Sequence, residues 1–294
     1  MKKRSIIITL FIGVLIFGGI KFFKDLDYSI FRFTVSKEVR LKYVNVVDEV
    51  SRGKVQVNWR EVASVDATFN YGHIETATEN NIKRVAERFI TKTDKGYTLR
   101  SIDSVVESFG GKGEDIEKAK RYLKVINKSR KMDEGHKKDF FDSIKSDAIK
   151  VSKKTGIMPS VIMGQAALES NWGRSQLSKD YKNLFGIKAD SSWKGKKINF
   201  STSEYYNTKI RDDFRVYSSL SESVEDFGKF IENNPRYKRA GVFKAKTYNE
   251  QIKAIEKAGY STISNEKGEK VYAQYVLDII ISNDLQLLDW EISK

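Results

Sequence analysis

Between Pro159 and Gly173 the chain reads PSVIMGQAALESNWG, an apolar stretch whose one charged residue, Glu169, follows Gln165 by four positions. At helical spacing those two share a face. A helix that is apolar on its other sides is a buried one, so the shared face is expected to line a polar cleft. A carboxyl among apolar groups has its charged form disfavoured, which raises its pKa towards neutrality and suits it to donating a proton. The C-terminal end of a helix is also the negative end of its dipole, where stability alone would not place an acid. Taken in isolation, Glu169 equally fits a helix end emerging into solvent, or a partner for Arg174.

Composition removes most other chemistries. The 294 residues include no cysteine and only two histidines, His73 and His136. That excludes disulfides, thiolate zinc sites and cysteine nucleophiles, and it speaks against a histidine-built metal centre or a Ser/His/Asp triad. An enzyme made from this chain would work through carboxylates, with no metal and no cofactor. The 53 Lys and Arg against 39 Asp and Glu leave a net charge of +14, which favours an anionic partner: nucleic acid, anionic lipid or an acidic wall polymer. Nucleic acid fits worst, since the charge is dispersed and no binding motif accompanies it. The run GGKGED is not a phosphate loop, because Gly113 stands where Ser or Thr should follow the lysine.

The elements that must hold Glu169 follow from apolar spacing and breakers. Phe140, Ile144 and Ala148 mark a helix that Gly156 can end, and Pro159 opens the next, since proline suits a first helical turn. Over about residues 185 to 217, segments such as INFSTSEYY and DFRVY alternate, predicting a small β element among helices. Upstream, Val39, Tyr43, Val46 and Val50, then Val62, Val65 and Phe69 behind an Asn58 cap, keep helical period. So do Ile82, Val85 and Phe89, then Ile102, Val105 and Phe109, then Ile116, Ala119, Leu123 and Ile126. Residues 37–130 are therefore expected to form an all-α domain, bounded by the charged stretch NKSRKMDEGHKK, with a second domain over 131–294.

At the N-terminus, Lys2, Lys3 and Arg4 precede an uncharged apolar run from Ser5 to Ile20, followed by Phe22 and Phe23. The run is near the short end of the roughly 17 to 25 residues that cross a bilayer, with Lys21 able to snorkel. No small-residue cleavage site follows it, so an uncleaved anchor over 5–23 is expected rather than a removed signal peptide. The basic residues ahead of it predict a cytoplasmic tip (1–4) and an extracytoplasmic remainder, joined by a linker over 24–36.

Five segments carry a resemblance. QAALESNWGRS, KNLFGIK, TSEYY, DDFRVYSS and AGYST, in that order over about residues 135 to 290, resemble the glucosaminidases of glycoside hydrolase family 73, which cleave bacterial peptidoglycan. The resemblance implies an α+β lysozyme-like domain, a helical lobe and a small β-lobe flanking a sugar-binding groove. It implies that Glu169, in the E-S-x-W-G motif, is the general acid. Glycoside hydrolysis usually needs a second carboxylate. The matching position is Glu204, with Asp212 and Asp213 as neighbouring competitors. Tyr260 matches a tyrosine the family places in the cleft, whereas Ile263 stands where the family commonly carries an aspartate. Gln165, Trp172, Asn183, Phe185 and Tyr205 are candidate sugar contacts, and Trp193 and Tyr206 further stacking aromatics, although aromatics of this kind also serve as core. Tyr237 and Tyr272 are assigned to packing.

The anchor and layout are similar to membrane-anchored glucosaminidases of Gram-positive bacteria. The implied activity is hydrolysis of the β-1,4 bond between N-acetylglucosamine and N-acetylmuramic acid, with peptidoglycan glycan strands as partner and any membrane-protein partner unspecified. A lytic transglycosylase, needing only one acid, and a non-catalytic wall-binding module are the alternatives.

Overall fold

The computed structural model describes residues 33–129, 135–204 and 208–293. The anchor expected over 5–23, its cytoplasmic tip and the linker up to residue 32 lie outside them, as do Tyr205 and Tyr206. Among the described residues no helix is long and apolar enough to cross a membrane.

The first half is built from capped helices. Helix α1 (Lys37–Ser51) starts at Ser36, whose hydroxyl accepts from the Val39 amide, and α2 (Trp59–Phe69) starts at Asn58, whose side chain accepts from Arg60. These caps satisfy amides that have no partner within the first helical turn. Helix α3 (Glu79–Arg88) follows, then α4 (Ile102–Ser108) and α5 (Gly113–Ser129). Tyr43, Val62, Ile82, Phe89, Val105, Tyr122 and Ile126 close into one buried cluster. The all-α expectation needs a correction. Strands β1 (Ile90–Thr93) and β2 (Gly96–Leu99) pair antiparallel as a hairpin, Ile90 opposite Leu99 and Thr93 opposite Gly96. Phe89 prolongs the helical spacing and hides the change of period, but Thr91 and Thr93 favour a strand and Gly96 takes φ +128° at the turn.

In the second half α6 (His136–Thr155) ends at Gly156 in the left-handed conformation, and α7 (Pro159–Ser170) begins with its proline in the first turn. Helix α8 (Gln176–Tyr181) leads to a hairpin of β3 (Lys197–Glu204) and β4 (Thr208–Arg215), the small β element expected. Five further segments complete it: α9 (Leu220–Asn233), α10 (Pro235–Ala240), α11 (Tyr248–Lys257), α12 (Tyr272–Ser282) and α13 (Gln286–Ser293). Helix α7 runs through the centre of this half, packed on α6, α12 and α13. Its Gly164 permits the approach of α12, since a Cβ there would sit 2.9 Å from Ile280 Cγ1.

The halves meet along a polar seam. Arg40 Nη1 donates to the Ile281 carbonyl at 2.7 Å, and Arg60 Nη2 lies 2.6 Å from Asp284 Oδ2. The Gly53 amide donates to Glu250 Oε1 at 2.9 Å, and the Tyr248 hydroxyl donates to Asp48. Ile281 packs against both hydrophobic clusters.

Candidate active site

Helix α7 is buried from Pro159 to Ala167, and Glu169 comes to the surface in its last turn. Gln165, fully buried one turn earlier, donates Nε2 to the Tyr272 hydroxyl at 2.9 Å, and that hydroxyl donates to Glu169 Oε1 at 2.8 Å. The bonds form a directed chain, amide to phenol to carboxylate. Glu169 is exposed as a residue, yet the protein packed on one side of its carboxyl withdraws part of the water that would solvate the charged form. That loss of water pushes its pKa up to about 7, and the Tyr272 hydrogen bond acts in the opposite direction. A carboxyl that titrates near neutrality can hold a proton and release it under ordinary conditions.

The ring of Tyr260 lies 5.4 Å from that of Tyr272 and 6.2 Å, edge on, from Phe227. Burial, with the nearby Glu169 charge adding to it, keeps the Tyr260 hydroxyl protonated well above the ordinary phenol range. Three expected residues therefore come together: Glu169, Gln165 and Tyr260. Tyr272, assigned to packing from the sequence, joins them as the direct partner of Glu169.

Beyond Glu169 the chain turns sharply. Asn171, Trp172 and Gly173 take φ of +50°, +52° and +73° in succession. The Ser170 hydroxyl accepts from the Gly173 amide at 2.7 Å, and the Ser175 amide returns to the Ser170 carbonyl at 2.8 Å. Left-handed backbone is readily adopted by Asn at a helix end but costs energy for Trp172, and the bonds around Ser170 help to hold it.

The remaining candidates have other tasks in this structure. Asn183, expected to touch sugar, is buried; its amide donates to the carbonyls of Ile187 and Arg215 at 3.0 and 2.9 Å and accepts from the Ile187 amide. It fastens the loop before β3 to the end of β4. Phe185 is likewise buried, stacked on Phe227 at 4.0 Å, and offers its carbonyl to Tyr260. Trp172 is half-buried, with Lys137 over its ring at 4.4 Å. Trp193 stands under Arg215 at 4.6 Å. Glu204 ends β3, paired with Thr208. Its competitors are engaged: Asp212 with Lys188 at 2.9 Å and Asp213 with Lys197 at 2.7 Å, bonds that hold both carboxyls below the usual range.

Residues 145–285, which contain the whole of this constellation, match the Glucosaminidase family, described as mannosyl-glycoprotein endo-beta-N-acetylglucosaminidase. The peptidoglycan hydrolase FlgJ of Salmonella typhimurium is 35% identical over 167 residues, 54% of this chain and 50% of that protein. A probable N-acetylmuramidase of Lactococcus lactis subsp. cremoris is 41% identical over 125 residues, 40% of this chain and 28% of its own length. The chain thus spans half or less of the length of these curated relatives. Among solved structures, the catalytic domain of the autolysin Auto from Listeria monocytogenes is 32% identical, with a TM-score of 0.46, covering 55% of this chain and 92% of that one. The family match over 145–285 coincides with the elements that carry Glu169, Tyr260 and Tyr272, and this part of the chain belongs to the glucosaminidase family of glycoside hydrolases.

Proposed function

We propose that the chain is a membrane-anchored peptidoglycan hydrolase that cleaves the β-1,4 bond between N-acetylglucosamine and N-acetylmuramic acid, with Glu169 as general acid. The observation that carries this reading is Glu169 in the last turn of α7, bonded at Oε1 by the Tyr272 hydroxyl at 2.8 Å and with its pKa raised to about 7. Because Oε1 accepts the hydrogen bond of the Tyr272 hydroxyl, the acid's own proton belongs on Oε2, from which it passes to the leaving glycosidic oxygen as the bond breaks. The sugar then carries oxocarbenium-like charge, and Glu204 is the carboxylate that stabilises it or activates water. Tyr260 positions that water or the N-acetyl group. Lys2, Lys3, Arg4 and the apolar run behind them support an anchor with the catalytic half outside, and the two hydrophobic clusters support a domain division near residue 130.

Mass spectrometry of fragments released from purified peptidoglycan tests the bond assignment. Reducing N-acetylglucosamine ends are expected. Reducing N-acetylmuramic acid ends would reassign the bond to the muramidase side, and anhydro ends would make the enzyme a lytic transglycosylase. In the same assay Glu169→Gln should lose about 10²- to 10⁴-fold in rate while melting at the parent temperature. A stable variant that still cleaves at near the parent rate would remove Glu169 from the chemistry.

A further inference from the structure

At the end of α2, on the half of the chain without the cleft, Phe69 and Tyr71 are 41% and 76% exposed. Tyr71 takes φ +49° in the turn where the Gly72 amide bonds the Ala67 carbonyl at 2.8 Å. Glycine fits such a position without steric penalty, so the tyrosine here stands against backbone preference and presents its ring to solvent. Phe69 continues into Phe109, ring centroids 5.6 Å apart. Cations surround these rings: Arg84 and Arg88 lie 5.7 and 5.4 Å from Phe109, and Lys118 lies 5.8 Å from Tyr71. Acids stand near these cations as well: Asp66, buried and bonded to Tyr43, faces Arg84, and Asp115 accepts from the Lys112 amide.

Apolar ring faces interleaved with cations suit a polymer that alternates the C–H faces of sugars with carboxylates. We propose that this patch is a second carbohydrate-binding surface that grips a peptidoglycan strand away from the cleft, with Phe69 and Tyr71 against sugar rings and Arg84, Arg88 and Lys118 against stem-peptide carboxylates. The inference rests on peptidoglycan being the substrate. A weak second grip raises the effective concentration of the strand at the cleft and slows its escape between cuts, without altering the chemistry at Glu169.

The test uses the full chain carrying Glu169→Gln, so that the wall is bound and not cut, with Tyr71→Gly added. Glycine relieves the left-handed backbone, so the fold is expected to survive while the ring is removed. Binding to purified peptidoglycan stripped of teichoic acid should weaken about three- to tenfold, the loss of one aromatic contact, and Arg88→Gln should weaken it and lower its salt dependence. With Glu169 intact, Tyr71→Gly should cleave a short soluble glycan at the parent rate. Unchanged wall binding by both variants would overturn the proposal, as would a loss seen only on walls that retain teichoic acid, or slower cleavage of the short glycan. A parent enzyme that fails to cleave that glycan would instead defeat the proposed function, with the binding assay still reporting on the patch.

Discussion

Tyr272 moderates the charge state of Glu169. Its hydroxyl favours the ionised carboxylate, while burial favours the protonated one, and burial dominates. As general acid Glu169 must be protonated, so activity should fall as pH rises through about 7. Tyr272→Phe removes the stabilising donor, so the basic limb of the kcat/KM profile should move to higher pH, with the rate lower by about threefold to thirtyfold. A role in packing alone would lower stability and leave that limb in place. Of this pair only Glu169 was legible from the sequence. It stood out as a lone charge in an apolar helix, whereas Tyr272, 103 positions later, lies in a segment whose apolar neighbours conceal it. No local pattern marks a tyrosine that meets its partner only through tertiary packing.

At the scale of elements, the turn after α7 fixes the height at which Glu169 leaves the helix. A Cβ on Gly173 would stand 3.0 Å from the Phe140 ring, and its φ of +73° suits glycine. Gly173→Ala should therefore destabilise the protein by about 1 to 3 kcal/mol, read by urea unfolding, and reduce turnover by displacing Glu169. Element boundaries set by local sterics, such as Gly156 and Pro159, were readable in advance, as was the β3–β4 hairpin. The β1–β2 hairpin was not, because Phe89 continues the apolar spacing of α3. The structural task of Asn183 was hidden for a different reason. Its motif pointed to sugar, but its amide serves the carbonyls of Ile187 and Arg215, and the latter comes from a distant strand.

The whole molecule depends on its seam. Asp284 is buried between Arg40 and Arg60, so Asp284→Ala leaves two poorly solvated guanidiniums and should cost about 3 kcal/mol in urea unfolding. Nearby, burial raises the pKa of Asp48 to about 6 and that of Asp289 to about 7. Folding raises both above their unfolded values, so the stability they contribute is complete below about pH 4 and lost as pH rises through about 6 and 7. The melting temperature should fall between about pH 4 and 7, and Asp289→Asn should flatten that fall. The same seam has a mechanical consequence. Were the chain anchored as proposed, with a glycan held at its other end, it would be under tension whenever the wall moved relative to the membrane. The path of that load from α1 and α2 to the α7 cleft crosses the contacts of Arg40, Asp48, Gly53 and Arg60. Hydrogen bonds weaken steeply with small displacements, so a joint held by them would be stiff up to a threshold of load. Below that threshold a taut strand would pull on a rigid body, with the Tyr272–Glu169 geometry undisturbed.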